Sequence, residues 1–331
     1  MRQYLFSLIV IILSIVMSNS AYCQMTNPDS QPTELGDIAW YRSLEEAQLK
    51  AAQNDKPIFV LFQEVPGCST CRNYGDNVLS HPLIVDVIEN EFIPLAIYNN
   101  KGGADTVVLK QYDEPSWNNP VIRVINADGK NVVTRHAGRY DTGSLASYMK
   151  LALVSYNGGL PQYVDLILSE LSTDDKNISE AYYSMYCFWT GEAKLGQIEG
   201  VISTSPGFMN GQEVVKVTYD NKKTDYSEIS NFVKSDKFTF VADPSKFRID
   251  RDPQYYLKKS DYRYIALSPS QRTKINSALA TGDDPDLNLS PTQRQWISII
   301  ETQNDKSKIK PLYEMDLQKS WKICQQHFSV L

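Results

Sequence analysis

Residues 57–71 read Pro57-Ile58-Phe59-Val60-Leu61-Phe62-Gln63-Glu64-Val65-Pro66-Gly67-Cys68-Ser69-Thr70-Cys71. The run from Pro57 to Phe62 is apolar without alternation, the pattern of a strand covered on both faces. It breaks at Pro66-Gly67, a chain-turning pair, and delivers two cysteines spaced Cys-x-x-Cys. A thiol at the mouth of a helix meets unpaired N–H groups and the positive end of the helix dipole, and both favour the thiolate. Cys68 and Cys71 are therefore placed for thiol redox chemistry; the bland alternative is a structural disulfide. Upstream, Leu44 to Gln53 carries apolar residues at helical spacing, and Ser43 can cap it ahead of Glu45 and Glu46. Before that, residues 24–37 are polar and hold Pro28 and Pro32, which reads as a linker.

Downstream, Phe92-Ile93-Pro94-Leu95-Ala96-Ile97-Tyr98 is a second strand candidate. Asn118-Asn119-Pro120-Val121-Ile122-Arg123-Val124-Ile125 followed by Asn126-Ala127-Asp128-Gly129-Lys130 opens a hairpin, and Gly138 falls where its second strand would end. Taken with the dithiol, this order resembles the thioredoxin-like proteins over about residues 38–152. The resemblance implies a thioredoxin-like domain over 38–155, with Pro120 as the cis-proline that faces the dithiol. The dithiol's neighbours differ from the Trp-Cys-Gly-His and Trp-Cys-Gly-Pro forms of that family.

A second cysteine stands in a similar setting. Tyr182-Tyr183-Ser184-Met185-Tyr186 is aromatic and β-favouring, Cys187-Phe188-Trp189 follows, and Gly191 to Leu195 reads as the opening of a helix. The sulfur of Cys187 would sit where strand passes into helix, as a nucleophile, unless it is a small buried hydrophobe. Gly158-Gly159-Leu160-Pro161 separates this half from the first, giving a second domain over 160–331.

Cys187-Phe188-Trp189, Gly200-Val201-Ile202-Ser203-Thr204, Pro206-Gly207-Phe208 and Gln212 to Asp220 occur in one order at compact spacing. This set resembles the A-class peptide methionine sulfoxide reductases over roughly residues 177–275. The implied architecture is α/β and α+β: a thioredoxin-like fold followed by a methionine sulfoxide reductase A-like (ferredoxin-like α/β) domain. By the same resemblance Cys187 attacks the sulfoxide sulfur, Phe188 and Trp189 form the apolar wall for the substrate methyl, and Glu213 donates the proton to the departing oxygen. An acid in that role must hold its proton near neutral pH, which an apolar aromatic surround favours. The departures are Tyr186 and Thr190 in place of flanking glycines, Gly211 in place of a histidine, and a nearly absent loop between Phe208 and Glu213. The family's later tyrosine is matched either by Tyr255, with Asp250 and Gln254, or by Tyr262, the better local context.

Residues 1–23 contain Arg2, an apolar run from Tyr4 to Met17 and small polar residues, the pattern of a secretory signal peptide. The run is short of the ~20 residues needed to span a bilayer, and Tyr22 before Cys23 argues against a lipoprotein site. The expected location is periplasmic or secreted, with no membrane span after cleavage. A net charge of −6, one unit more negative once Arg2 is removed, and the lack of a basic cluster exclude a nucleic-acid binder. The four cysteines beyond the leader are too few and too scattered for a disulfide framework. With only His81, His136 and His327 beside them, no metal and no cofactor are expected. Cys324, in a helix expected near Leu317 to Phe328, is either the resolving thiol or core beside Trp321 and Ile323. Ser268-Pro269-Ser270-Gln271 and Ser290-Pro291-Thr292-Gln293 read as two further helix starts.

The expected function is an exported peptide-methionine (S)-S-oxide reductase-like thiol enzyme. Its substrates would be oxidised proteins or free methionine sulfoxide. Cys187 would be recycled by the Cys68/Cys71 dithiol, and that pair by an external thiol-disulfide donor. The alternative is a thiol-disulfide oxidoreductase whose second domain is a non-catalytic binding module.

Overall fold

The computed structural model describes residues 25–328 other than 118, 119, 236, 237, 242 and 244; the expected leader lies outside them. The chain builds two sheets. Strand β1 (Ile58–Gln63), buried at every position, is central to the first, with order β2-β1-β3-β4. It pairs parallel to β2 (Ile93–Tyr98) and antiparallel to β3 (Val121–Ile125), which pairs in turn with β4 (His136–Ala137). Because β1 has neighbours on both sides and helices on both faces, its side chains enter two cores alternately. Ile58, Val60 and Phe62 pack with α1 (Leu44–Asn54) and α4 (Ala104–Gln111), while Phe59 and Leu61 face α2 (Ser69–Asn77), α3 (Pro82–Glu91) and α5 (Thr142–Asn157).

The second sheet is wholly antiparallel, in the order β8-β5-β7-β6-β9. Its long strands are β5 (Ile178–Ser184), β6 (Val201–Met209) and β7 (Gln212–Asp220), with β8 (Thr239–Phe240) and β9 (Arg248–Ile249) as short edges. Helix α7 (Phe188–Leu195) connects β5 to β6 and covers the sheet with α8 (Tyr226–Ser235). Its approach is close: a Cβ at Gly191 would lie 1.6 Å from the Met185 sulfur, so a larger residue there would require the Met185 side chain to move.

Two expectations change. Residues 24–37 are no linker where they are described. Leu35 and Glu34 are buried, and the Thr33–Leu35 turn packs on α2, close enough that Gly75 has no room for a Cβ against the Thr33 carbonyl. The break at 158–161 does not divide the core either. Gly158 ends α5 in a left-handed turn, but α6 (Gln162–Leu171) continues in the same apolar cluster. That cluster also takes in α10 (Pro269–Thr281), α11 (Pro291–Glu301) and α12 (Leu317–Phe328). The tail of the chain thus packs back on the first half, where the Asn90 amide donates to Thr292, and its own helices meet through Trp296 against Trp321. Both helix starts read from the sequence are capping boxes, Ser268 with Gln271 and Ser290 with Gln293.

Candidate functional site

Cys68 is the N-cap residue of α2 and is exposed; Cys71, one turn on, is buried. Both are free thiols with sulfurs 3.7 Å apart. Backbone hydrogen bonding at Cys71, in the helix's first turn, holds the Cys68 thiol below its ordinary range, whereas burial pushes Cys71 up to about 11. The pair is therefore differentiated into an accessible attacking thiolate and a sheltered thiol. The loop ahead of it is held from three sides. Gly67 N donates to Glu34 Oε1 (2.8 Å), Val65 N to Asn100 Oδ1 (3.1 Å), and the Arg72 guanidinium to the Gly67 carbonyl (2.6 Å). Pro120 is buried beside β3, and its bond to Asn119 lies outside the described residues; among the described residues Val65–Pro66 is a cis peptide bond.

We expect alkylation at Cys68 to rise with pH through a midpoint below that of an ordinary cysteine, about 8.5. Cys71 should react only near pH 11. Peptide mapping after iodoacetamide pulses checks this; equal rates at the two sites would contradict it.

Among the described residues, one group of His, Cys, Asp and Glu side chains could share an ion: a Glu64 carboxylate oxygen and the two dithiol sulfurs, within 4.8 Å of one another. Three donors are one short of the closed tetrahedron of a structural zinc site.

Cys187 repeats the arrangement on the other sheet. β5 ends at Ser184, Cys187 is the N-cap of α7 in extended conformation, and the side chain is half-buried. The Thr190 hydroxyl lies 3.5 Å from its sulfur, and Tyr186 is fully exposed beside it. Glu213, near the start of β7 and paired across the ladder with Phe208, accepts the Phe188 amide proton at Oε2 (2.8 Å). The acid thus occupies the N-terminus of the helix that Cys187 opens, one residue from the thiol. Phe188 stacks on Trp189 and lies against Phe208, while Trp189 stacks on Tyr255 at 4.2 Å and 19°.

Of the residues singled out, the structure brings together Cys187, Phe188, Trp189 and Glu213. Tyr262 is elsewhere: its hydroxyl donates to Asp286 (2.6 Å) and its ring packs on the cluster of closing helices. The tyrosine on this site is Tyr255, in the short helix α9 (Tyr255–Lys258). Cys324 is fully buried in α12, its sulfur accepting from Ala266 N (3.3 Å) and its thiol pushed up to about 12 by burial. That is the environment of a core thiol, inert toward exchange in the folded chain. Glu34 and Glu192 drew no notice in the sequence, since a glutamate in a polar segment or a helix reads as solvated.

Residues 39–127 match the thioredoxin-like family model, and this region of the chain is a thioredoxin-like domain. A shorter stretch is similar to two curated peptide methionine sulfoxide reductases MsrA of Methanococcus maripaludis. It is 34% identical over 70 residues to that of strain C7 and 35% over 72 residues to that of strain C5. These matches take in 16% and 17% of this chain, which spans less than half the length of the relatives, 45% and 46%. Among solved structures, a DsbH oxidoreductase aligns with TM-score 0.32 and 20% identity, over 38% of this chain and 90% of its own. Among the described residues no helix is long and apolar enough to cross a membrane.

Proposed function

We propose that the chain is an exported thiol oxidoreductase that reduces methionine sulfoxide at Cys187 and is recycled through Cys68 and Cys71. The observation that carries this reading is the Glu213 carboxyl bonded to the first amide after Cys187, under an aromatic wall of Phe188, Trp189, Phe208 and Tyr255. A binding module has no need of an acid beside a helix-capping thiol, whereas sulfoxide reduction uses both.

The Cys187 thiolate attacks the sulfoxide sulfur, two electrons pass to the substrate, and the oxygen moves to the cysteine as Glu213 supplies a proton. The products are the thioether and the Cys187 sulfenic acid. The Cys68 thiol condenses with that acid, releasing water, and Cys71 then attacks the Cys68 sulfur of the mixed disulfide, freeing the Cys187 thiolate and closing the Cys68–Cys71 disulfide. An external dithiol donor must reopen the Cys68–Cys71 disulfide for the next cycle. Cys324, buried against Ala266, has no role in this scheme.

The test is steady-state release of methionine from a methionine sulfoxide substrate with a chemical dithiol in excess. Sustained turnover supports the reading. No turnover, with insulin disulfide reduction by Cys68/Cys71 intact, leaves the thioredoxin-like half as the enzyme and the second sheet as its binding module.

A further inference from the structure

Glu192 is the most deeply buried acid of the second sheet. It lies on α7, three residues after Trp189, with no exposed surface. Its Oε2 accepts the backbone amide of Gln254 (2.9 Å), and Gln254 holds a left-handed conformation (φ 54°, ψ 56°). A non-glycine residue is uncommon in that region and persists there only where its surroundings hold it. The turn launches α9, whose first residue is Tyr255, the ring stacked on Trp189. In the first turn of α9, Asn276 of α10 accepts the amides of Tyr256 and Leu257. Lys274 of the same helix donates to the carbonyls of Gly196 and Ile198 at the end of α7. α10 is thus the common support of α7 and α9, and Glu192 is a direct bond between them.

We propose that Glu192 is a positioning residue of the Cys187 site: by holding the Gln254 amide it fixes the Tyr255 ring on the face of Trp189. Burial, first among the causes, raises its carboxyl well above the usual carboxylate range. Burial disfavours its charged form, and the amide bond from Gln254 works the other way. The acid's remaining oxygen and the Thr204 hydroxyl beside it are both buried without a further partner. Glu192 touches neither Cys187 nor the substrate; it acts through Tyr255.

The substrate aspect of this proposal rests on the sulfoxide-reductase reading, and the geometric aspect does not. Three variants, Glu192→Gln, Glu192→Leu and Glu192→Ala, are compared in the full chain by amide hydrogen exchange over residues 254–258. The glutamine, which can still accept the Gln254 proton, should keep near-native protection. The leucine should exchange about tenfold faster, the change a hydrogen bond of ordinary net strength gives. The alanine variant carries the same reading should the leucine variant fail to fold. In the sulfoxide assay, Glu192→Leu and Tyr255→Leu should each raise KM more than they lower kcat, and the double variant should be no worse than the worse single one. Native protection in the leucine or alanine variant, or additive KM effects, would overturn the proposal. Faster exchange in a protein without sulfoxide turnover would uphold the geometry and dismiss the substrate reading.

Discussion

Glu213→Gln is expected to lower kcat for sulfoxide reduction by roughly 10²-fold or more, the usual effect of removing a general acid, while KM stays near its original value. The substitution isolates the proton. A glutamine carbonyl can still accept the Phe188 amide at the N-terminus of α7, so the helix start and the Phe188 ring keep their places. What disappears is the group able to protonate the oxygen as it leaves the substrate sulfur. Glu213→Ala would lose both roles, leaving the Phe188 N–H without its partner and loosening the aromatic wall as well. Its KM should therefore rise where that of the glutamine variant does not. Steady-state kinetics of both proteins, with melting curves to establish that each is folded, check the split. An unchanged kcat in the glutamine variant would remove Glu213 from the chemistry.

The dithiol gives the second large effect. Cys68→Ser should take insulin disulfide reduction to background, because it removes the exposed thiol, the one whose ionisation the first turn of α2 favours. Cys71→Ser should behave differently. Cys68 can still attack a disulfide and expel one of its sulfurs as a thiol, but the buried partner that would release the resulting mixed disulfide is gone. The covalent adduct should accumulate and be visible on a non-reducing gel, disappearing when reductant is added. Turnover by Cys71→Ser at the original rate would mean that Cys68 works alone and that the differentiated pair has no resolving function.

What could be read from the residue pattern was whatever depends on near neighbours in the chain. The unbroken apolar run of β1 announced a strand buried on both faces, and every one of its side chains is buried. Both cysteine-bearing helix starts were legible because a β-favouring run giving way to a helical one fixes where the N-cap falls. The serine-led starts of α10 and α11 were legible because a capping box is a three-residue event. The misses are all contacts between distant regions of the sequence. Residues 25–37 have the composition of a linker, yet Leu35 enters the core and Glu34 reaches the loop before Cys68 across 33 positions. Tyr262 had the better local context, but Glu192, 62 positions before Gln254, holds the segment that brings Tyr255 to Trp189. The starts of the tail helices could be read locally, but that these helices pack on the first half of the chain could not.

The most direct test of sulfoxide chemistry at Cys187 is a single turnover in a chain carrying Cys68→Ser and Cys71→Ser, with all reductant removed. Mixed with excess methionine sulfoxide, this protein should release methionine equimolar with itself and stop. Cys187 should then be found as the sulfenic acid by dimedone labelling and peptide mapping. The same chain with Cys187→Ser should release none. Absence of methionine and an unlabelled Cys187 in the folded protein would contradict the account and leave the second sheet as a partner-binding surface of a thioredoxin-like oxidoreductase.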